Sequence, residues 1–179
     1  YNRFVLIQKQ RNVISKQKQE VDIAHKSVKD SIEYTERIQR AVLPSKETLT
    51  QIFPENFIVY FPKDILSGDF YWVHDFGDKK LIALGDCTGH GVPGAYMTIM
   101  AINILSHTID KGTSDPGKVL AEVDRKLIEN LRQNDEDVKD SMDLALCLID
   151  NEKISFSSSH IPLYHLSEGN LTCLLYTSP

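Results

Sequence analysis

The chain has 179 residues, of which 41% are hydrophobic and 25% are charged, and its formal net charge is −5. These values fit one globular domain with an additional element and exclude a disordered or fibrous chain. No apolar run reaches the roughly 20 residues that span a bilayer, and the sequence shows no signal-peptide pattern. We therefore expect a cytoplasmic protein. Because the chain starts at Tyr1 without an initiator Met, we expect a longer parent, in which a membrane anchor could lie upstream.

Charge is unevenly distributed. Residues 1–43 carry nine Lys and Arg against five Asp and Glu, whereas the remainder is strongly acidic. A basic segment that leads into an acidic domain indicates two units with different roles. Nothing resembling a base-reading motif accompanies the basic part, so we favour a solvated helix face and expect no nucleic-acid partner. The cysteines, Cys87, Cys147 and Cys173, have no paired spacing and predict reduced thiols.

Residues 3–43 contain neither Gly nor Pro and predict one long helix that ends before Pro44. Mostly β-branched apolar residues recur at heptad spacing, as at the a positions of two-stranded coiled coils. These positions are Ile7, Ile14, Val21, Val28, Thr35 and Val42. Most of the matching d positions are polar, so the seam is incomplete. We expect a homodimerising signal linker, although residues 30–43 fit a helix packed on the next domain nearly as well.

Beyond a loop and short turn at 44–56, strand and helix signals alternate in blocks. The predicted strands are 57–61, 64–76, 81–86, 142–150 and 154–160, the predicted helices are 92–110 and 115–133, and a last hairpin starts at 162. Asp115 is the expected N-cap of the second of these helices. The order of strands, two helices and strands predicts an α+β fold with an antiparallel sheet.

Two carboxylates are the main candidates for chemistry. Asp69 lies in "SGDFYW" and Asp86 in "GDCTGHG", on strands joined by a hairpin that turns near Gly77. Pairing about that turn places Asp69 near residue 85 or 86. Neighbouring carboxylates repel each other unless a cation lies between them, and Mg²⁺ and Mn²⁺ prefer oxygen ligands. The alternative is a hairpin whose two Asp side chains simply face solvent.

His90, between two glycines, could orient a water or a phosphate, or could cap the helix that follows. The Cys87–His90 spacing does not predict zinc, because no second Cys/His pair lies nearby. A phosphoacceptor role for His25 in a histidine-kinase dimerisation helix is disfavoured. Lys26 follows His25 where an acidic residue is expected, and no ATP-binding motif is found.

Several motifs together resemble the SpoIIE-type branch of the PPM (protein phosphatase 2C-like) serine/threonine phosphatases. They are "IQRAVLP" (38–44), "SGDFYW" (67–72), "GDCTGHGVPGAYM" (85–97) and "MDLALCLID" (142–150). The resemblance covers residues 31–171. It implies an α-β-β-α sandwich, here partial, preceded by a long helix that links an upstream sensor to the phosphatase domain.

The resemblance also implies a centre of two Mn²⁺ or Mg²⁺ ions. Asp69 and Asp86 match the family's metal-binding aspartates, and the backbone carbonyl of Cys87 would be a further ligand. We take Asp69, Asp86 and His90 as candidate catalytic residues. The implied reaction is hydrolysis of phosphoserine or phosphothreonine on a regulatory protein without a phosphoenzyme. In such systems the substrate is often an anti-sigma-factor antagonist.

The chain departs from the family pattern in three respects. Ser67 replaces the commoner Gly, the later Thr-Asp-Gly-like motif is absent, and Asp143 is interpreted as a strand-edge residue rather than a substitute ligand. We interpret residues 173–179 as a non-native tail derived from a sequencing adapter. This gives a linker helix at 1–43 and a partial phosphatase domain at 44–172, which we expect to be inactive alone. The alternative function is a non-catalytic phosphatase-like signalling module that dimerises and binds a phosphoprotein.

Overall fold

A computed structural model describes residues 2–110, 112–131, 140–150 and 153–174. The helices are α1 (Asn2–Val42), α2 (Lys46–Ile52), α3 (Gly91–Asp110) and α4 (Pro116–Leu131). The strands are β1 (Asp69–Asp75), β2 (Lys79–Cys87), β3 (Met142–Asp150), β4 (Lys153–Ser158), β5 (Leu163–Ser167) and β6 (Asn170–Leu174). Within these ranges no helix is long and apolar enough to cross a membrane.

The main sheet is antiparallel, with the strand order β1-β2-β3-β4, and β5 and β6 form a separate hairpin. Alternate side chains of each strand point to opposite faces of a sheet. On β2, Leu81, Ala83 and Cys87 are buried in the same core cluster as residues of α3 and α4. Asp86 has the opposite parity and therefore lies on the other face of the sheet.

The core consists of residues at the apolar positions of the predicted helices and strands. Leu105 of α3, Val119 and Val123 of α4, and Leu144 and Leu146 of β3 are all almost completely inaccessible to solvent. Hydrophobic burial of this kind is the main force that holds two helices against one sheet face. The helices thereby leave the second face, with its carboxylates, free of the main core.

The long helix and both core helices are confirmed, and Asp115 caps α4 as predicted because its Oδ1 accepts a hydrogen bond from the Lys118 amide at 2.9 Å. Residues 2–31 of α1 are exposed throughout, so this part makes no substantial contact with the rest of the described chain.

Two sequence predictions for residues 44–61 are wrong. Residues 46–52 form the helix α2, which begins where the Ser45 hydroxyl accepts a hydrogen bond from the Thr48 amide at 3.1 Å. Residues 57–61 form no strand, and Phe57 and Phe61 are 88% and 89% exposed. A β-rich run becomes a strand only where another strand pairs with it, and none pairs with this run among the described residues.

Candidate active site

Asp69 and Asp86 face each other across neighbouring strands. Asp69 is the first residue of β1, Asp86 is the penultimate residue of β2, and the two are direct partners in the antiparallel register. Directly opposed residues have Cβ atoms about 4.5–5.5 Å apart and point to the same face. Counting outward from the hairpin turn near Gly77 predicts this pairing of Asp69 with Asp86. It brings two carboxylates within reach of one small cation.

Asp143 extends this pair into a row of three. It is the direct partner of Asp86 on the opposite side, across the β2–β3 ladder. Its Oδ1 lies 2.9 Å from Nδ1 of His160, a residue with a positive φ of 62°. Asp143 does lie near the end of β3, as interpreted from the sequence, but this strand end adjoins Asp86. No local pattern brings the two together, because their contact depends on pairing between strands that are 55 residues apart in the chain.

The two neighbouring carboxylates act electrostatically on Asp86. Partial desolvation, followed by the charge and hydrogen bonding of Asp69 and the charge of Asp143, raises the pKa of Asp86. The pKa of the Asp86 carboxyl group is raised although the residue as a whole is exposed to solvent. A raised carboxyl pKa means that the ionised form is unfavourable where it stands. A cation among these oxygens would remove that cost.

Main-chain carbonyl groups crowd beside the aspartates because two glycines let the backbone approach closely. A Cβ placed on Gly68 would lie 2.7 Å from the Cys87 carbonyl oxygen and 2.8 Å from that of Gly89. A Cβ on Gly94, in the first turn of α3, would lie 2.7 Å from the same Gly89 oxygen. The glycines of the "SGD" and "GHGVPG" segments thus allow the start of α3 to pack against the segment that leads into Asp69.

The side chain of Cys87 points into the core, away from the carboxylates. It is 3% exposed, and burial raises the pKa of its thiol to about 12. A thiol with this pKa stays protonated at neutral pH and is neither a metal ligand nor a nucleophile. Cys87 can therefore offer only its backbone carbonyl, which is the group that the sequence resemblance implies.

His90 lies in the loop just before α3, and its side chain is 70% exposed. Its Nδ1 is 2.8 Å from Oδ2 of Asp64. A carboxylate on Nδ1 orients an imidazole and leaves Nε2 available to another group. The sequence analysis did not single out Asp64. It placed this residue at the start of the predicted strand 64–76, whereas β1 begins only at Asp69 and Asp64 lies in the irregular segment before it. The hydrogen bond to Asp64 fixes one ring nitrogen of His90, and the orienting role of His90 stays a prediction.

The donor chemistry fits a hard divalent cation. Aspartate carboxylates and backbone carbonyl oxygens are the ligands that Mg²⁺ and Mn²⁺ prefer, with water in the remaining positions. Within the described ranges, however, no group of three or more His, Cys, Asp or Glu side chains is arranged to hold a metal ion. The residues that fit are Asp69 and Asp86 together with the Cys87 carbonyl, so carbonyl and water oxygens would have to complete the coordination.

Replacing Gly68 with alanine is expected to destabilise the fold by about 1–3 kcal/mol, because the new methyl group would overlap two backbone oxygens that cannot move independently. Urea unfolding would measure the change. Gly117→Ala is the matched control, since a Cβ there meets its nearest atom at 3.4 Å and alanine is favoured in a helix. Equal stability of the two variants would contradict the close backbone packing.

Comparisons with known proteins agree with this geometry. The sequence model of the family "Stage II sporulation protein E (SpoIIE)" matches residues 77–178. Among solved structures, the SiaA-PP2C domain of Pseudomonas aeruginosa is 35% identical in sequence, with a TM-score of 0.71. The match covers 79% of this chain and 57% of that one, so the chain spans little more than half of that structure. A comparison with curated protein sequences gave no match.

The fold is that of a PP2C-like domain, with an α+β arrangement and a long N-terminal helix. The chain belongs to the SpoIIE family, since the family model matches more than half of its residues. The fold class and the family resemblance drawn from the sequence motifs are both confirmed. Membership places the chain in a phosphatase family.

Proposed function

We propose that the protein is a metal-dependent serine/threonine phosphatase that hydrolyses phosphoserine or phosphothreonine on a regulatory protein. The observation that carries the proposal is the direct opposition of Asp69 and Asp86 beside the crowded carbonyl groups of Cys87 and Gly89. Membership in a phosphatase family supports the same reaction class. Similarity to the PP2C domain of SiaA agrees with it.

Asp69, Asp86 and the Cys87 carbonyl would hold the metal ions, for which two Mn²⁺ or Mg²⁺ are the candidates. When bound, such ions supply charge neutralisation at phosphoryl oxygens and lower the pKa of water toward about 7. His90, oriented by Asp64, would present Nε2 to the phosphate or to the attacking water. No side chain is needed as a covalent nucleophile, and the buried thiol of Cys87 is unsuited to that role.

Control by an upstream sensor through α1 is the second part of the proposal. The helix is exposed from residue 2 to residue 31, and apolar side chains such as Ile14 and Val21, 64% and 65% exposed, stand on the predicted seam. A single helix of this kind gains stability by pairing with a second copy. We propose a homodimer through α1 and a phosphorylated protein substrate, for which an anti-sigma-factor antagonist is a candidate. No nucleic-acid partner is proposed.

A non-catalytic phosphatase-like module is the alternative function. The observation that favours it is that, among the described residues, metal-binding side chains do not form a group of three. A module of this kind would use α1 to dimerise and the domain to bind a phosphoprotein without hydrolysing it.

Phosphate release separates the two functions. We expect the full-length protein to release inorganic phosphate from a phosphoserine protein in the presence of Mn²⁺, and we expect EDTA to abolish the release, because the aspartates would lose the cation that joins them. A malachite-green assay would measure the product. Binding of the phosphoprotein without any Mn²⁺-dependent release would favour the non-catalytic module.

A further inference from the structure

The carboxylate row of Asp69, Asp86 and Asp143 continues onto the segment that follows β4. These three residues stand opposite one another on β1, β2 and β3. When the antiparallel register of β3 and β4 is extended, the position opposite Asp143 is that of His160, two residues past the end of β4. The row of carboxylates therefore ends beside an imidazole ring.

The turn that carries His160 is held by hydrogen bonds on both sides. The Ser159 hydroxyl accepts one from the Leu144 amide at 2.9 Å, and the Ser159 amide donates to the Leu144 carbonyl at 2.9 Å. On the other side, the Ile161 amide donates to the Ser159 carbonyl at 2.9 Å, and the Ser158 hydroxyl donates to the Ile161 carbonyl. His160 itself has a φ of 62°, which is uncommon for residues other than glycine. The fold therefore fixes the position of this residue.

One nitrogen of the His160 ring is occupied and the other is open to solvent. Nδ1 lies 2.9 Å from Oδ1 of Asp143, and the His160 side chain is 84% exposed. An ionised carboxylate only accepts hydrogen bonds, so Nδ1 carries the hydrogen of this contact. Among the residues that the structure describes, Nε2 has no hydrogen-bond partner. Asp143 thus orients a ring whose second nitrogen is available to a ligand.

The charge of Asp143 must be offset if a phosphate is to bind beside it. Asp143 is near enough to Asp86 for its charge to contribute to the raised pKa of the Asp86 carboxyl group. A phosphoserine carries about 1.5 to 2 negative charges at pH 7, so a bare carboxylate in this row would repel it. A protonated His160 offsets that charge. It donates from Nδ1 to Asp143 and leaves its Nε2–H for a phosphoryl oxygen.

We propose that His160, oriented by Asp143, binds a phosphoryl oxygen of the phosphoprotein substrate through Nε2. The inference rests on the proposed function, because it assumes that the phosphate is bound at Asp69 and Asp86. His90 provides a parallel, since its Nδ1 also lies on an aspartate, at 2.8 Å, and its ring is also largely exposed. The role of His160 is binding and charge compensation, and it involves no proton transfer and no covalent step.

The test measures how tightly inorganic phosphate inhibits the full-length protein. Hydrolysis of p-nitrophenyl phosphate with Mn²⁺ is read from the coloured product, so added phosphate can be titrated as a competitive inhibitor. Glycine adopts a positive φ freely, so His160→Gly removes the ring without straining the turn. We expect the inhibition constant of phosphate to rise by about tenfold, the equivalent of about 1.4 kcal/mol. Mn²⁺ affinity, measured by isothermal titration calorimetry, should stay unchanged.

Matched variants separate a contact with phosphate from a structural effect. Glu168→Gly is the control, because Glu168 also has a positive φ, of 49°, but lies in the turn of the separate β5–β6 hairpin. It should leave both constants unchanged. Free imidazole added to His160→Gly should lower the phosphate inhibition constant again. If His160→Gly fails to fold, His160→Asn provides the same inhibition and metal-binding measurements, since asparagine also tolerates this backbone conformation.

Nuclear magnetic resonance gives a readout that does not depend on turnover. With Mg²⁺, which is diamagnetic, phosphate added at constant pH should shift the ring signals of His160 in the wild-type protein. The ring signals of His25, on the exposed part of α1, and of His165, on β5, should stay in place. Loss of one set of signals in His160→Asn would assign the signals of His160.

The outcomes are distinct. An unchanged phosphate inhibition constant in both His160 variants, or an equal rise in Glu168→Gly, would overturn the role of His160 while leaving the proposed function intact. A matching loss of Mn²⁺ affinity in the His160 variants would overturn it too, and so would His160 ring signals that phosphate does not shift. Absence of Mn²⁺-dependent hydrolysis by the wild-type protein would overturn the proposed function and this inference together.

Discussion

Replacing Asp86 with asparagine is expected to abolish Mn²⁺-dependent phosphate release and, at the same time, to stabilise the metal-free fold slightly. Asp86 is the middle member of the carboxylate row, with Asp69 on one side and Asp143 on the other. Loss of its charge removes a metal ligand, and we expect the rate to fall by at least about 10³-fold, or roughly 4 kcal/mol of transition-state stabilisation. The same loss removes the partial desolvation of a charged group and the repulsion from Asp69 and Asp143, which together raise the pKa of the Asp86 carboxyl group.

The gain in stability should be small, up to about 1 kcal/mol, because water screens charges on an accessible surface. Phosphate release would be measured with Mn²⁺, and urea unfolding would be measured in EDTA. Asp78→Asn is the matched control: it removes the same charge from the hairpin turn at the other end of β2, roughly 25 Å away along the strand. Full activity in Asp86→Asn would refute the proposed site, and lower stability in EDTA would refute the electrostatic argument.

Placing aspartate at both Ile14 and Val21 is expected to convert a dimer of the full-length protein into monomers. Both residues stand at predicted a positions, where a coiled coil would bury them against the partner helix. Burying four uncompensated carboxylates in one dimer is strongly unfavourable, so we expect the dissociation constant to rise by at least about 10²-fold. Sedimentation equilibrium would measure the change.

The control for this prediction adds the same charge outside the seam. Asn12→Asp with Gln19→Asp alters two exposed f positions of the same helix and should leave the dimer intact. A wild-type protein that is monomeric at every concentration would refute the proposed homodimer. Equal weakening by both pairs of substitutions would show that general charge repulsion, rather than the apolar seam, controls association.

Local patterns were sufficient for most of the secondary structure. The helix that ends before Pro44, the cap at Asp115 and the hairpin turn at Gly77 each depend on a few consecutive residues with defined backbone preferences. The hairpin also fixes the register, so Asp69 and Asp86 could be paired by counting outward from the turn. This is why the central pair of the candidate site was predictable from sequence.

The remaining features depend on distant parts of the chain. Asp143 reaches Asp86 through a strand pairing that no short motif encodes, and Gln39 meets Ser67 across 28 residues. Residues 57–61, which were wrongly predicted as a strand, also show that local composition is insufficient. Their composition is that of a strand, but no strand pairs with them among the residues that the structure describes. Composition selects the type of element, whereas tertiary pairing decides whether a β-rich run becomes a strand and which side chains meet.

Gln39, the one buried residue of α1, which the structure describes in full, holds the Ser67 backbone by two hydrogen bonds: its Nε2 donates to the Ser67 carbonyl, and its Oε1 accepts from the Ser67 amide. When these two hydrogen bonds break, water can satisfy the same polar groups. Separation of Gln39 from Ser67 therefore exposes little apolar surface and has a modest free-energy difference. A change from 1% to 99% of one state requires only about 5.5 kcal/mol of differential binding. Under the proposed control through α1, an upstream domain would have to supply a difference of this size to move the end of the helix between a bound and a released state.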